Sequence, residues 1–218
     1  MVRRSVWAQA LAPAQLETVV AETQPALVAA GQAVALCGQP VDHWIGIVDG
    51  FAKMSVASPD GRVSTLTGVG PGVWFGEGSL MKHERRRYDV LAVRTSVIAM
   101  MPRETFEWLR RTSFAFNHYL QDLLNARLSL FIGMLEHDRL VDTDARVAHA
   151  LASLFNADLY PDAPQLVELG QRELGLLANV SRQRVNVALH RLQQLGLVRI
   201  EKRGVTVLDV QGLRGFAG

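Results

Sequence analysis

The segment from Gly170 to Val207 constrains the chain more than any other, because its order of caps, breaks and periodicities admits few folds. Gln171 to Leu177 carries a short helical pattern that Ala178-Asn179-Val180 interrupts. Ser181 then stands where an N-cap side chain accepts a backbone N–H of a second helix. That helix is predicted to run to about Leu195. At about 3.6 residues per turn, Val185, Ala188, Leu189, Leu192 and Leu195 fall on one arc; Arg182, Gln183, Asn186, His190 and Gln193 fall on the other. Gly196 occupies the C′ position that favours a left-handed backbone and stops the helix. Val198-Arg199-Ile200, a Glu201-Lys202-Arg203-Gly204 turn and Val205-Thr206-Val207 then read as a hairpin. Helix, tight turn, helix and basic β-wing make a winged helix-turn-helix.

Such a unit suits double-stranded DNA. A helix fits the major groove, where Arg pairs bidentately with guanine and Asn or Gln with adenine, so Arg182, Gln183 and Asn186 are the candidate base readers. Ser181, Arg199 and Lys202 are the candidate phosphate contacts. Between Gln171 and Arg203 there are seven Lys or Arg against two Asp or Glu, in a chain whose net charge is only +2. Basic charge concentrated in one segment is what a phosphate backbone attracts. The competing reading of the same pattern is an amphipathic helix pair with a solvated polar face.

Ser181-Arg182-Gln183-Arg184-Val185-Asn186, with Leu189-His190-Arg191-Leu192 and Leu195-Gly196-Leu197-Val198, resembles the recognition helix and wing entry of the CRP/FNR family of bacterial transcription regulators. The resemblance extends over most of the chain. It departs at Val187, where cyclic-AMP-type members carry a second base-reading Arg, which implies a different base preference at that position.

Upstream, the texture changes twice. Met1 to about Val28 reads as helical, with Pro13 able to start a second short helix. From Ala33 to Met101 come short β-rich runs, Trp44 to Val48, Phe51 to Val56, Arg62 to Leu66 and Val90 to Met100, broken by ten glycines between Gly31 and Gly78. Asp60-Gly61 is a hairpin signal. Short strands and frequent turns argue for a small antiparallel barrel or roll, and the resemblance implies a β-roll of the cyclic-nucleotide-binding type.

Within it, Gly70-Pro71-Gly72-Val73-Trp74-Phe75-Gly76-Glu77-Gly78-Ser79-Leu80 resembles the family's phosphate-binding cassette, in which freed backbone N–H groups hold a phosphate, a Glu takes a ribose hydroxyl and an Arg supplies the opposite charge. The resemblance assigns Gly76, Glu77 and Arg86 to those roles. It puts Arg87 where cyclic-AMP-binding members have a small hydroxyl residue, and Phe131 and Ile132 where two hydroxyl side chains bond the adenine. The run is equally readable as an architectural corner that binds nothing. On these departures cyclic AMP is not expected as the effector, and the sequence names no other.

From Pro102 the chain is helical again: Glu104 to Leu109, then Ser113 to about Asp138. The long helix carries two apolar stripes. Leu120, Leu124, Leu128, Phe131 and Leu135 are assigned to the same helix of a second subunit, and Tyr119, Leu123, Ala126 and Leu130 to the chain's own roll. A single broad buried face is the alternative. Asp142 or Thr143 caps the next helix. The organisation expected is α+β, with an effector-type β-roll at 1–112, a dimerisation helix at 113–141 and the winged helix-turn-helix at 142–218.

No apolar run approaches a transmembrane length of about 18 residues, so a cytoplasmic protein without a membrane partner is expected. Cys37 is the sole cysteine, which excludes a disulfide framework and the iron–sulfur ligands of oxygen-sensing relatives; it reads as a small core side chain. His43, His83, His118, His137, His149 and His190 show no metal-ligand spacing, and Gly68-Val69-Gly70 lacks the rest of a dinucleotide fingerprint. No nucleophile elbow or phosphate-binding Gly-Lys loop occurs, so no enzyme is expected. The expectation is a homodimeric DNA-binding regulator, with RNA polymerase as a further partner by resemblance. The alternative is a module of the same architecture that binds small molecules or proteins and does not read DNA.

Overall fold

A computed structural model describes residues 1–58, 60–140 and 142–218, without the side chains of 136–140. Val141, the expected end of the dimerisation segment, and the His137 side chain lie outside the described residues.

A 3-10 turn (Val2–Arg4) and helices α1 (Val6–Gln9) and α2 (Pro13–Glu22) open the chain, with Pro13 at the first helical position as its missing N–H allows. The helical reading does not extend to Val28. Gln24–Val28 is an edge strand, β1, whose register against the later strand β6 places Gln24 opposite Met100. Then come β2 (Ala33–Ala35), β3 (His43–Ala57), β4 (Val63–Val69), β5 (Trp74–Phe75), α3 (Glu77–Lys82) and β6 (Asp89–Pro102). The sheet runs β1-β6-β3-β4, with β2 on β6 and β5 on β3, and every pairing is antiparallel.

The two runs around Asp49-Gly50 prove to be one strand kinked by a bulge, not two strands. Register against β6 shifts there, Gly50 has φ +106°, and a Cβ on it would lie 2.5 Å from the Ser96 Cα.

Helices α4 (Arg103–Thr112) and α5 (Phe114–Leu140) follow. They close one end of the roll through an aromatic cluster in which Trp44 packs on Trp74 at 4.6 Å, Trp7 at 5.3 Å, Phe106 at 5.4 Å and Phe116 at 5.6 Å between ring centroids. Tilted and edge-on pairs of this kind add about 0.5–1.5 kcal/mol each beyond area burial. Trp7 explains why the N-terminal helices belong to the roll.

The two stripes of α5 part as expected, with one correction. Leu123 is buried and Tyr119, Ala126 and Leu130 pack against the roll core, whereas Leu124, Leu128, Phe131 and Leu135 face solvent. Leu120 is only 2% exposed within its own protomer, so it cannot serve a partner. The protomer's own fold covers Leu120 and leaves Leu124, one turn on, exposed. Cys37 also departs from expectation: it is exposed beside the loop after β2, its backbone N–H donating to Asp89 Oδ1 at 2.8 Å.

The C-terminal unit comprises α6 (Thr143–Ser153), β7 (Leu166–Val167), α7 (Gln171–Ala178), α8 (Arg182–Gln194), β8 (Val198–Glu201), β9 (Gly204–Val207) and α9 (Val210–Arg214). Asp142, rather than Thr143, caps α6, accepting the Asp144 N–H at 2.8 Å. The small sheet is ordered β7-β9-β8.

Candidate nucleic-acid interface and effector cassette

Short-range chemistry builds the reading head. Asn179, with φ +53°, ends α7 in the left-handed region, and the Val180 N–H returns to the Gly175 carbonyl at 2.9 Å. A Cβ on Gly175 would lie 2.8 Å from the Val180 carbonyl oxygen, so the tight turn needs glycine there. Ser181 Oγ accepts the Arg184 N–H at 3.3 Å and starts α8. At its other end the Leu197 N–H donates to Leu192 O and the Gly196 N–H to Gln193 O, both at 3.0 Å, with Gly196 at φ +74°; this is a Schellman stop.

Val185, Ala188, Leu189 and Leu192 are buried as the periodicity requires. Leu195 is not: at the C-cap it is 55% exposed, with the helix stopping at the next residue. Gln193 also differs from its assigned free face, since its Oε1 accepts the Ile200 N–H at 2.8 Å and fastens α8 to the wing.

All six expected DNA-contact residues, Ser181, Arg182, Gln183, Asn186, Arg199 and Lys202, are exposed. Asn186 Oδ1 accepts from Gln171 Nε2 at 3.0 Å, which orients its amide. From Arg182 onward the six basic residues of the segment divide into two groups. Arg191 lies 3.2 Å and Arg184 3.8 Å from the buried Asp144 carboxylate, and Arg203 lies 2.8 Å from Glu168. Among the described residues no ion pair engages Arg182, Arg199 or Lys202. Those three charges are free for phosphate and base edges.

The cassette lies on the roll. Gly76, at φ +100°, turns β5 into α3, and Glu77 beyond it is 2% exposed. Glu77 is already engaged, by Trp44 Nε1 at 3.4 Å and by Arg127 Nη1 at 3.3 Å; Arg127 also donates to the Trp74 carbonyl at 2.7 Å. The sequence reading missed Arg127. Its signal was there, a cation four residues after Leu123 and three before Leu130 on the inward stripe.

Arg86 and Arg87 separate sharply. Arg86 is 4% exposed, its guanidinium 5.9 Å from the Phe75 ring centroid and 5.6 Å from that of Tyr88. Its Nη1 has no hydrogen-bond partner and would sit 3.2 Å from a Cβ placed on Gly76. Arg87 instead is exposed and pairs with Glu84 at 2.8 Å, so its guanidinium does not fill the space beside Gly76. Neighbours in an extended segment face opposite ways. Phe131 and Ile132 are exposed apolar side chains on α5. Among the described residues no group of His, Cys, Asp and Glu could hold a metal ion.

A family model for the cyclic nucleotide-binding domain matches residues 26–113, and one for the Crp-like helix-turn-helix domain matches residues 145–216. The chain is 30% identical to the cyclic AMP receptor protein of Thermus thermophilus over 95% of its own length and 94% of that protein's. It belongs to the CRP/FNR family of transcription regulators. Another family member, the CRP-like cAMP-activated global transcriptional regulator of Mycobacterium tuberculosis, is 26% identical over 94% of this chain and 93% of that one. The fold of FixK2 from Bradyrhizobium japonicum superposes with a TM-score of 0.75 at 16% identity, over 90% of this chain and 98% of that one. As a family member the chain is a DNA-binding transcription regulator and not an enzyme, and its roll is a cyclic nucleotide-binding domain. Its architecture is the α+β one expected. Family membership implies both DNA binding and dimerisation.

The cassette fits an anion at one end. A buried guanidinium with an unsatisfied N–H beside a left-handed glycine matches a phosphate's oxygens.

Proposed function

We propose that the chain works as a cytoplasmic homodimer on an inverted-repeat DNA site, with Arg182, Gln183 and Asn186 reading bases and Ser181, Arg199 and Lys202 holding phosphates. The observation that carries this reading is the exposure of all six on one helix end and its wing, with the three cations among them free of carboxylates. Dimerisation through Leu124, Leu128, Phe131 and Leu135 is supported by their exposure on the long helix. A two-fold axis there would present two recognition helices to half-sites about 34 Å apart. RNA polymerase is proposed as a further partner from the family resemblance alone. No helix among the described residues is long and apolar enough to cross a membrane.

For the effector, the proposal is an anion held by Arg86 and the Gly76 turn, and not cyclic AMP. Leaving an adenine edge unbonded against Phe131 and Ile132 costs about 1–3 kcal/mol per group, or one to two decades of affinity. Apolar packing of Phe131 across a dimer can instead hold the protein competent for DNA with no ligand. One cysteine cannot furnish the thiolates of an iron–sulfur centre.

Selection of genomic fragments by the purified protein, without ligand and with cyclic AMP, tests both parts. Enrichment of an inverted repeat without ligand is the expected result. Calorimetry with cyclic AMP, cyclic GMP and a cyclic dinucleotide runs beside it, and low-micromolar cyclic AMP affinity coupled to cyclic-AMP-dependent DNA binding overturns the effector assignment.

A further inference from the structure

The glycine-rich run Gly68-Val69-Gly70-Pro71-Gly72 leads up to the Gly76 turn of the roll. It forms a seat for the winged domain. A Cβ on Gly68 would lie 3.2 Å from Leu154 Cδ2, and one on Gly72 would lie 2.9 Å from Asp162 Oδ2. The Thr67 hydroxyl is hydrogen-bonded to the buried Tyr160 hydroxyl. Phe51, Gly70 and Pro71 from the roll meet Leu154, Tyr160 and Pro164 from the winged domain around a residual void of about 30 Å³. That is room for roughly one water.

At the rim of this seat one carboxylate serves two cations from different domains. Glu168, 15% exposed, contacts Arg94 of β6 through Oε2 and Arg203 of the wing turn through Oε1, the latter at 2.8 Å. Arg94 is also tied to the Gly50 carbonyl at 3.2 Å. Arg203 shares the two-residue turn between β8 and β9 with Lys202, which has no such partner. The acid therefore lies where it both fastens the winged domain to the roll and occupies the one wing-turn guanidinium.

We propose that Glu168 is an intramolecular phosphate mimic, which keeps Arg203 from DNA while the winged domain is docked on its own roll through Arg94. A DNA phosphate and Glu168 compete for the same guanidinium, so DNA must displace the carboxylate before Arg203 can contribute a phosphate contact. The inference rests on the reading that the wing contacts phosphates.

The experiment measures the affinity of the full chain for a non-specific duplex by fluorescence anisotropy between 50 and 200 mM salt. Glu168→Gln is expected to tighten binding about 3–10-fold at the low-salt end and to steepen the salt slope by about one, as one more phosphate contact would. The gain is expected to vanish in Glu168→Gln/Arg203→Ala, which then matches Arg203→Ala. A gain that persists in the Arg203→Ala background, or equals that of Glu201→Gln on the same wing, reflects net charge and overturns the proposal, as does no gain. Lys202→Ala tests the wing reading separately. If it weakens binding while Glu168→Gln changes nothing, the wing reading stands and the mimic falls. Hydrogen exchange supplies a readout without DNA: Arg94→Gln, which leaves Glu168 on Arg203, is expected to speed exchange at residues 66–72 without tightening DNA binding. Unchanged exchange there overturns the docking role.

Discussion

Arg127 of the long helix α5 lies 3.3 Å from the buried Glu77 at the start of α3, so the long helix and the β-roll share one ion pair. Removing the cation leaves a carboxylate in the core with only the Trp44 N–H. Arg127→Ala is expected to destabilise the fold by about 2–4 kcal/mol, and Glu77→Gln by less, because the latter removes the desolvated charge itself. Urea unfolding at fixed protein concentration checks the order. Equal losses would mean that packing, not charge, holds the contact.

The neighbouring leucines of α5 are expected to behave oppositely. Leu124→Glu with Leu128→Glu places like charges in the exposed stripe and is expected to yield folded monomers that lose specific DNA binding. Leu120→Ala opens a cavity in the protomer's own core, expected to cost about 2–5 kcal/mol without changing which surfaces associate. Sedimentation and thermal unfolding of the variants decide; a dimeric double Glu variant would refute the seam.

On DNA, Arg182→Ala is expected to cost about 1–3 kcal/mol at the preferred site and to relax base preference. Lys202→Ala is expected to weaken all sequences alike and to lower the salt slope by about one. Val187, exposed one turn into the reading face, cannot donate to guanine, so its base pair is expected to favour a thymine methyl. A binding selection on wild type and both variants reads all three. Uniform weakening by Arg182→Ala would reverse its role.

The three tyrosines are expected to contribute to the alkaline limb of stability. Tyr119 is pushed up to about 12, first by burial and then by the Glu77 charge, with Arg127 opposing. Burial also raises Tyr88 and Tyr160. In the unfolded chain the phenols ionise near pH 10, while the folded protein still holds their protons. Stability is therefore complete below about pH 10 and falls as pH rises toward 12. Ultraviolet titration of phenolate in native and urea-unfolded protein checks this. A native transition of all three near pH 10 would contradict the raised values that burial and part-burial imply.

The reading head was legible in the sequence because everything that makes it acts within a few residues. The Ser181 cap, the Asn179 break, the Gly196 stop and the period of Val185, Ala188, Leu189 and Leu192 are local backbone chemistry, and the observed helices and wing follow them. The family's cassette was legible as a run of residues around Gly76 and Glu77, although the direction of each side chain was not.

Where two residues of the same type stand close together, local sequence does not choose between them. Arg86 and Arg87 are chemically identical, and only the packing of Phe75, Gly76 and Tyr88 decides which is buried. Leu120 and Leu124 share a stripe, and only the edge of the roll decides which of them is left for a partner. The ion pairs of Glu77 with Arg127, and of Glu168 with Arg94 and Arg203, join residues far apart in the chain. Such pairings depend on closing long loops, and no pattern of caps or periods encodes them.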